Sequence, residues 1–344
     1  MTVTAQSTMR RYHIEKAESG YRLMVREAKI PAPGPMEVLI RIRANSINAR
    51  DVSLLSGQYT MPPREGMVPL CDGAGEVVAV GSGVTQWALG DRVAAVFHQA
   101  WLAGPRMPET PRSDLGGSFD GLLAEYALIP ASGLVPIPAY LSFAEAATLP
   151  AAGVTAWSAL TAHGPLLPGQ SVLVQGTGGV AVFAAQLASI MGARVLVLSS
   201  CSSKLKKMQD FCQVEGIDTS EHPLWAKEVL RITQNRGVDL SIELIGKMEQ
   251  TFRATRIGGA ISFVGRLGDS TATCSLVPVQ LRNLRVAGIG VGSRSDFLNL
   301  LQAMTVHQLR PIIERSFSFL EAKEAFHTFH TPRGIGKFVI EQPD

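Results

Sequence analysis

The stretch Val172-Leu173-Val174-Gln175-Gly176-Thr177-Gly178-Gly179-Val180-Ala181, continuing into Val182-Phe183-Ala184-Ala185-Gln186-Leu187-Ala188, constrains this chain more than any other. A short apolar run that meets a glycine turn and resumes with helical character reads as a buried strand, a tight turn and a helix. Glycine at 176 and 178 permits positive φ and close approach of a ligand to the backbone, and Ala181 fills the small third place of a G-x-G-x-x-(G/A) fingerprint. The segment is therefore expected to seat a pyrophosphate at a helix N-terminus, with Gly176, Thr177, Gly178, Gly179 and Val180 as cofactor-binding residues. In a chain with 33 glycines the spacing alone arises by chance; the strand before it and the helix after it make it specific.

The next apolar run, Arg194-Val195-Leu196-Val197-Leu198, ends in Ser199-Ser200-Cys201-Ser202-Ser203-Lys204. A site for NAD places Asp or Glu at this strand end, roughly 20 residues past the fingerprint, to bind the ribose 2′-hydroxyl. No acid occurs from Val180 through Gln209. Serine hydroxyls at 199, 200 and 203 can hydrogen-bond a 2′-phosphate, and Lys204, with Lys206 and Lys207 nearby, can supply charge to it. The expected cofactor is NADPH. The plainer alternative is a solvated helix N-terminus with a serine cap and exposed lysines.

A chain of 344 residues is long enough for two domains at about 150 residues each. Its net charge of +3 is scattered, which argues against nucleic acid as a partner. No apolar run of about 18 residues spans a membrane and no early segment reads as a signal peptide, so a cytoplasmic location is expected. The four cysteines, Cys71, Cys201, Cys212 and Cys274, form no C-x-x-C pair and indicate neither a disulfide framework nor a structural zinc.

Before residue 150 the chain reads as short strands punctuated by glycine and proline: Tyr12 to Val25, Val38 to Ala44, Gly73 to Gly81, Asp91 to Val96 and Leu122 to Ile129. Leu141 to Leu160 has helical periodicity. From Gly169 strands and helices alternate, with strands at 171–175, 194–199, 238–244, 260–264 and 284–290. Such alternation predicts a doubly wound parallel sheet with right-handed crossovers. A helix over Asp296 to His307, another near 320–329 and a strand at 337–341 complete the chain.

Several segments, in this order and spacing, resemble the medium-chain dehydrogenase/reductase superfamily. They are Asn45 to Asp51, Leu70 to Val78, Gly90-Asp91-Arg92-Val93, Ala147 to Trp157, the fingerprint, Arg236-Gly237-Val238-Asp239 and Gly334-Ile335-Gly336-Lys337. The chain looks nearest to the zinc-free quinone oxidoreductase and enoyl reductase branch, with an alcohol-dehydrogenase-like subgroup close by. The resemblance implies an α/β fold. A GroES-like β-rich catalytic domain (1–150 with 295–344) would be built around a Rossmann nucleotide-binding domain (151–294). One departure stands out: Gly216-Ile217-Asp218-Thr219-Ser220 lacks the usual apolar third strand, so the sheet is expected to be irregular there.

In zinc-dependent relatives the metal ligands fall where this chain has Asn48, Cys71 and Ala151, with a carboxylate at Asp72. A catalytic zinc needs three protein ligands, and Asn and Ala cannot replace a thiolate, so no metal is expected. Cys71 alone reads as a small buried hydrophobe, and His327 with His330 as a solvated helix face. Tyr59, in Ser56-Gly57-Gln58-Tyr59-Thr60-Met61-Pro62, resembles the proton-donor tyrosine of enoyl thioester reductases, though a packing role fits it equally. Asn48 can bond a nicotinamide ribose or a substrate carbonyl. Asp51 and Asp72 can instead be turn caps. The resemblance also places Thr155 beside the cofactor, Arg266 at the crevice past a strand end, and Gly288 to Ser293 at an edge that in relatives forms a dimer contact, which keeps a homodimer open.

Three functions stay in play on the sequence. The first is an NADPH-dependent, metal-independent reductase of an activated C=C bond in an enone, enoyl thioester or quinone. The second is a zinc-independent alcohol dehydrogenase or ketone reductase. The third is a nucleotide-binding protein with an accessory role.

Overall fold

A computed structural model describes residues 7–59, 61–265, 273–329 and 334–343. The first half runs β1 (Thr8–Lys16), β2 (Tyr21–Lys29), β3 (Glu37–Ile47), α1 (Ala49–Leu55), β4 (Asp72–Val80), β5 (Arg92–Ala95), β6 (Tyr126–Pro130), β7 (Leu134–Pro136), α2 (Phe143–Ala147) and α3 (Val154–Thr161). Then follow β8 (Ser171–Gln175), α4 (Gly179–Ile190), β9 (Arg194–Ser199), α5 (Ser202–Phe211), β10 (Val214–Asp218), α6 (Trp225–Ile232), β11 (Val238–Glu243), α7 (Met248–Ala254), β12 (Thr255–Phe263), α8 (Val277–Leu281) and β13 (Arg285–Gly288). The chain finishes with α9 (Arg294–His307), β14 (Ile313–Ser318), α10 (Ala322–Phe329) and β15 (Lys337–Glu341).

Two compact units result. The first comprises Met1–Ala152, Gly292–Arg333 and Lys337–Asp344. Its main sheet has the order β14-β15-β3-β4-β5-β7, with β6 on β3, and β1 pairs β2 in a separate hairpin. The stretch read as one strand from Tyr12 to Val25 is thus two strands, because Gly20 at φ +70° turns the chain between them. Tyr12, Ile14, Ile47, Leu70, Phe317, Phe319 and Ile340 form its core, and the Tyr12 hydroxyl donates to the Phe319 carbonyl at 3.1 Å. A second difference lies in the single helix expected over Leu141 to Leu160. Pro150 lacks the N–H that an α-helix needs, and the chain passes through one π-helical turn, Leu149–Gly153, between α2 and α3.

The second unit comprises Gly153–Val291 and Gly334–Gly336. Its sheet is parallel throughout, in the order β10-β9-β8-β11-β12-β13. All five residues of β8 are buried, as a strand covered on both faces requires. Leu173, Leu196, Leu198, Ile217, Trp225 and Val229 pack one face of the sheet. The irregularity expected at 216–220 does not occur: β10 pairs β9 in regular register from Val214↔Val195 to Asp218↔Ser199. As an edge strand it buries only Val214 and Ile217, so two apolar residues suffice where an interior strand needs four or five.

Candidate active site

In the second unit only one of the two turn glycines takes the positive φ expected of both: Gly178 is extended at φ −77°, a conformation open to any residue. Gly176 has φ +90° and donates its N–H to Leu198 O at 2.8 Å, tying the turn to β9. A side chain at 176 or 178 would meet nothing within 4 Å, so the space over the turn is open. Gly178 is the N-cap of the twelve-residue α4 and offers no side-chain cap. The first N–H groups of that helix, at Gly179 and Val180, therefore face a place suited to an anion. Thr177 is buried and its carbonyl accepts from Gly336 N at 3.2 Å. Thr155 is buried on α3. These features fit a dinucleotide pyrophosphate. Arg266 lies outside the described residues, as does His330.

Glu243 supports the turn from behind, a role that no local motif announces. Its carboxylate, fully buried at the end of β11, accepts from Gln175 Nε2 at 2.9 Å and from the backbone N–H groups of Ile245 (3.0 Å) and Gly246 (2.7 Å).

The serine turn is partly engaged with itself. Ser199 is buried and its Oγ accepts from Cys201 N at 3.2 Å; Ser203 Oγ lies 3.1 Å from Cys201 Sγ. Ser200 and Ser203 are exposed and Lys204 half-buried at the start of α5. Although the turn contains no acid, the fold brings one to it: Asp218 ends the neighbouring strand opposite Ser199 and accepts from the Ser202 hydroxyl.

In the first unit a polar cluster forms where β3, α1, β4 and β15 meet, buried at Cys71, Asp72 and Lys337 and half-buried at Asn48. Leu70, fully buried at φ +68°, turns the chain into β4 and brings Cys71 and Asp72 inward, both with no exposed surface. Asp72 Oδ1 accepts from Ala151 N at 2.9 Å, a backbone N–H on the π-turn. Asp72 Oδ2 accepts from Asn48 Nδ2 at 2.8 Å and faces Lys337 Nζ at 3.4 Å. Lys337 is only 3% exposed, and its ammonium also donates to Ile47 O at 2.8 Å and to Asn48 Oδ1. Asn48 Nδ2 lies 3.6 Å from Cys71 Sγ. Both ends of the Asn48 carboxamide are thus engaged inside the protein.

Asp51 sits beside this cluster. Its Oδ2 accepts from Asn48 N at 2.9 Å, while Oδ1 is buried without a partner. Burial pushes its carboxyl up to about 6, with the Asp72 charge adding to the rise and Arg50 opposing it. Burial also raises Asp72, against the pull of Lys337, and holds the Cys71 thiol well above the usual thiol range, so Cys71 stays protonated. Arg50 donates to Asp114 at 2.6 Å and to Leu115 O at 3.0 Å, and its guanidinium packs over the rings of Tyr59 (5.5 Å) and Phe97 (5.0 Å). Tyr59 is half-buried and, with Tyr21, Leu54, Met61, Pro62 and Pro63, lines a cavity of about 140 Å³.

A parallel doubly wound sheet with an open glycine turn, and a β-rich unit assembled from both ends of the chain, define a two-unit dehydrogenase fold. The comparisons agree. The alcohol dehydrogenase GroES-like domain matches residues 34–139 and the zinc-binding dehydrogenase family matches residues 179–305. A zinc-type alcohol dehydrogenase-like protein of Schizosaccharomyces pombe is 35% identical over 341 residues, covering 96% of this chain and 99% of that one. Among solved structures, an NAD-dependent alcohol dehydrogenase is 30% identical with a TM-score of 0.85, covering 96% of this chain and 99% of that one. A quinone oxidoreductase of Pseudomonas syringae pv. tomato shares the fold at 23% identity and a TM-score of 0.80, covering 97% of this chain and 99% of its own. The chain belongs to the medium-chain dehydrogenase/reductase superfamily and is an oxidoreductase of that family.

The family's zinc does not fit the donors present. The positions hold an amide, a protonated thiol, a carboxylate already bonded through both oxygens, and an alanine, with an ammonium among them. Among the described residues no group of three His, Cys, Asp or Glu side chains is arranged to hold a metal ion, and no helix is long and apolar enough to cross a membrane.

Proposed function

We propose that this protein is an NADPH-dependent, metal-independent cytoplasmic reductase of activated C=C bonds in enones, enoyl thioesters or quinones. The observation that carries the reading is Lys337 hydrogen-bonded to Asn48 and close to Asp72 in the cluster that corresponds to a metal centre in relatives. A site with a fixed ammonium and no free ligand has no Lewis acid to ionise an alcohol, which favours chemistry that needs only a hydride and a proton. A bound dihydronicotinamide supplies the hydride, to Cβ of the unsaturated carbonyl.

The chain's own residues then have distinct tasks. The N–H groups at Gly179 and Val180 hold the pyrophosphate, with Gly176, Thr177 and Gly178 shaping the turn, and Thr155 lies on the neighbouring helix. Ser200, Ser203 and Lys204 face the 2′-phosphate, while Ser199 fixes the turn through Cys201 N. Tyr59 keeps a phenolic proton for Cα as the electron pair of the C=C bond moves into the enolate and back. Asn48, engaged at both ends, positions the start of α1 and the cluster rather than the substrate. A second copy of this chain is the proposed partner, joined along β13, an edge strand on which Val286 is 43% exposed.

A competing reading, metal-free reduction of a ketone, draws support from relatives named alcohol dehydrogenases. Dissociation constants for NADPH and NADH, followed by cofactor oxidation with a panel of enones, quinones and ketones, test the proposal. Tighter NADPH binding with turnover on enones or quinones is expected. Turnover on ketones alone would give the competing reading the advantage, and tighter NADH binding would end the NADPH assignment.

A further inference from the structure

The serine turn after β9 is acid-free in sequence but not in space. Asp218 is the residue paired with Ser199 at the carboxyl end of the parallel sheet, where a doubly wound fold binds its ligand. Thr219 N donates to Ser199 O at 2.8 Å, which locks the two strand ends together beyond the last ladder pair. The carboxylate then reaches across to the first residue of α5, where the Ser202 hydroxyl donates to Oδ2. On its other side Oδ1 accepts from Ser220 N at 2.9 Å and from Ser220 Oγ at 2.6 Å. These bonds hold the carboxyl down to about 2, so it carries its charge throughout the physiological range. The turn that would receive the adenosine ribose thus has a half-buried cation, Lys204, and a fixed anion, Asp218, on one short arc.

We propose that Asp218 is a specificity-determining residue of the cofactor site, a fixed carboxylate that opposes the 2′-phosphate and holds the preference for NADPH over NADH to a small ratio. This rests on the dinucleotide-reductase reading above. A 2′-phosphate carries about −1.5 to −2 charges, so the carboxylate repels it while leaving a 2′-hydroxyl unaffected or bonded. Lys204 attracts the same phosphate, and the two side chains set the balance between them. The device differs from a carboxylate at the end of the fingerprint's own second strand, because here the acid arrives from the third.

The test is the pair of dissociation constants for NADPH and NADH, by titration of nicotinamide fluorescence, in the wild type, Asp218→Asn, Lys204→Ala and the control Asp210→Asn. Asp210 lies on α5 and removes the same formal charge away from the turn. Asparagine keeps an acceptor for Ser220, and thermal denaturation monitors folding of each variant. In Asp218→Asn, NADPH is expected to bind about tenfold more tightly, a change of about 1.4 kcal/mol, with NADH moving less than about twofold. That gain shrinks with rising salt. Lys204→Ala moves the ratio the opposite way and Asp210→Asn leaves it alone. A folded Asp218→Asn variant with the wild-type ratio, or one matched by Asp210→Asn, overturns the inference. If the wild type binds neither nucleotide, the dinucleotide reading falls and this inference with it. If both bind and only the ratio fails to move, the inference alone falls.

Discussion

Ala151 N donates to Asp72 Oδ1 at 2.9 Å, so a backbone amide occupies the carboxylate from a position that holds a metal ligand in zinc-dependent relatives. The N–H reaches Asp72 from the π-turn that Pro150 forces. The opposite oxygen is taken by Asn48 Nδ2 at 2.8 Å. The carboxylate is saturated by the protein itself.

The proposed metal independence predicts no response to chelation. Prolonged treatment with a strong chelator is expected to alter neither the melting temperature nor the rate of cofactor oxidation. Stoichiometric zinc in an active preparation, lost together with activity on chelation, would contradict this.

Replacing the buried ammonium has the opposite outcome. Lys337→Met keeps the aliphatic bulk but leaves the Asp72 charge uncompensated, which costs roughly 3–5 kcal/mol for a broken buried pair. Without Lys337 the folded-state carboxyl of Asp72 rises further, so the favourable protonated state persists at low pH and is lost as pH rises. Urea denaturation should show a larger deficit at pH 8 than at pH 5; an equal deficit at both would assign the loss to packing.

Asp51 gives a pH signature of its own. Its folded-state value of about 6 lies above its ordinary 3.8. A raised acid binds its proton more tightly when folded, so its contribution is full below pH 4 and disappears as pH rises through 6, a loss of roughly 3 kcal/mol. Asp51→Asn retains an acceptor for Asn48 N and removes this slope. Stability curves for the two proteins should converge near pH 4 and separate by pH 7, with the variant the more stable. Parallel curves would show that Asp51 ionises normally.

Tyr59→Phe keeps the ring under the Arg50 guanidinium and removes the hydroxyl. If the phenol protonates Cα, kcat falls about 10²–10⁴-fold with little change in KM. Product stereochemistry in deuterated water should also scramble as solvent takes over the donation. Unchanged turnover and stereochemistry would leave Tyr59 a packing residue.

The glycine turn and the parallel alternation were legible because local residues suffice to specify them: Gly176 takes a φ that few residues tolerate, and β8 is buried on both faces. β10 was not, because this edge strand buries only two apolar residues, Val214 and Ile217, one on each face, and Gly216 and Asp218 disguise it. Asp218 was hidden for the same reason, being nine residues past the acid-free window and adjacent only through strand pairing. The partnership of Asp72 with Lys337 spans 265 residues. The one signal was a lysine opening the apolar run Phe338-Val339-Ile340, since a cation in a buried strand demands a partner. The engagement of Asn48 Oδ1 follows from that lysine and could not be read without it.

β15 lies between β14 and β3, so the sheet of the first unit is joined by a strand that the ribosome makes after every other element described above. Until Lys337 emerges, Asp72 has no cation and Ala44 to Ile47 of β3, past the stretch that β6 covers, lack a neighbour on that edge. A nascent chain holding β1 to β7 must wait, with its polar cluster unfinished, while the whole parallel-sheet unit is translated. Translation order thus makes the second unit the first able to complete its sheet, and a ribosome stalled before β15 leaves an exposed β3 edge for chaperones to shield.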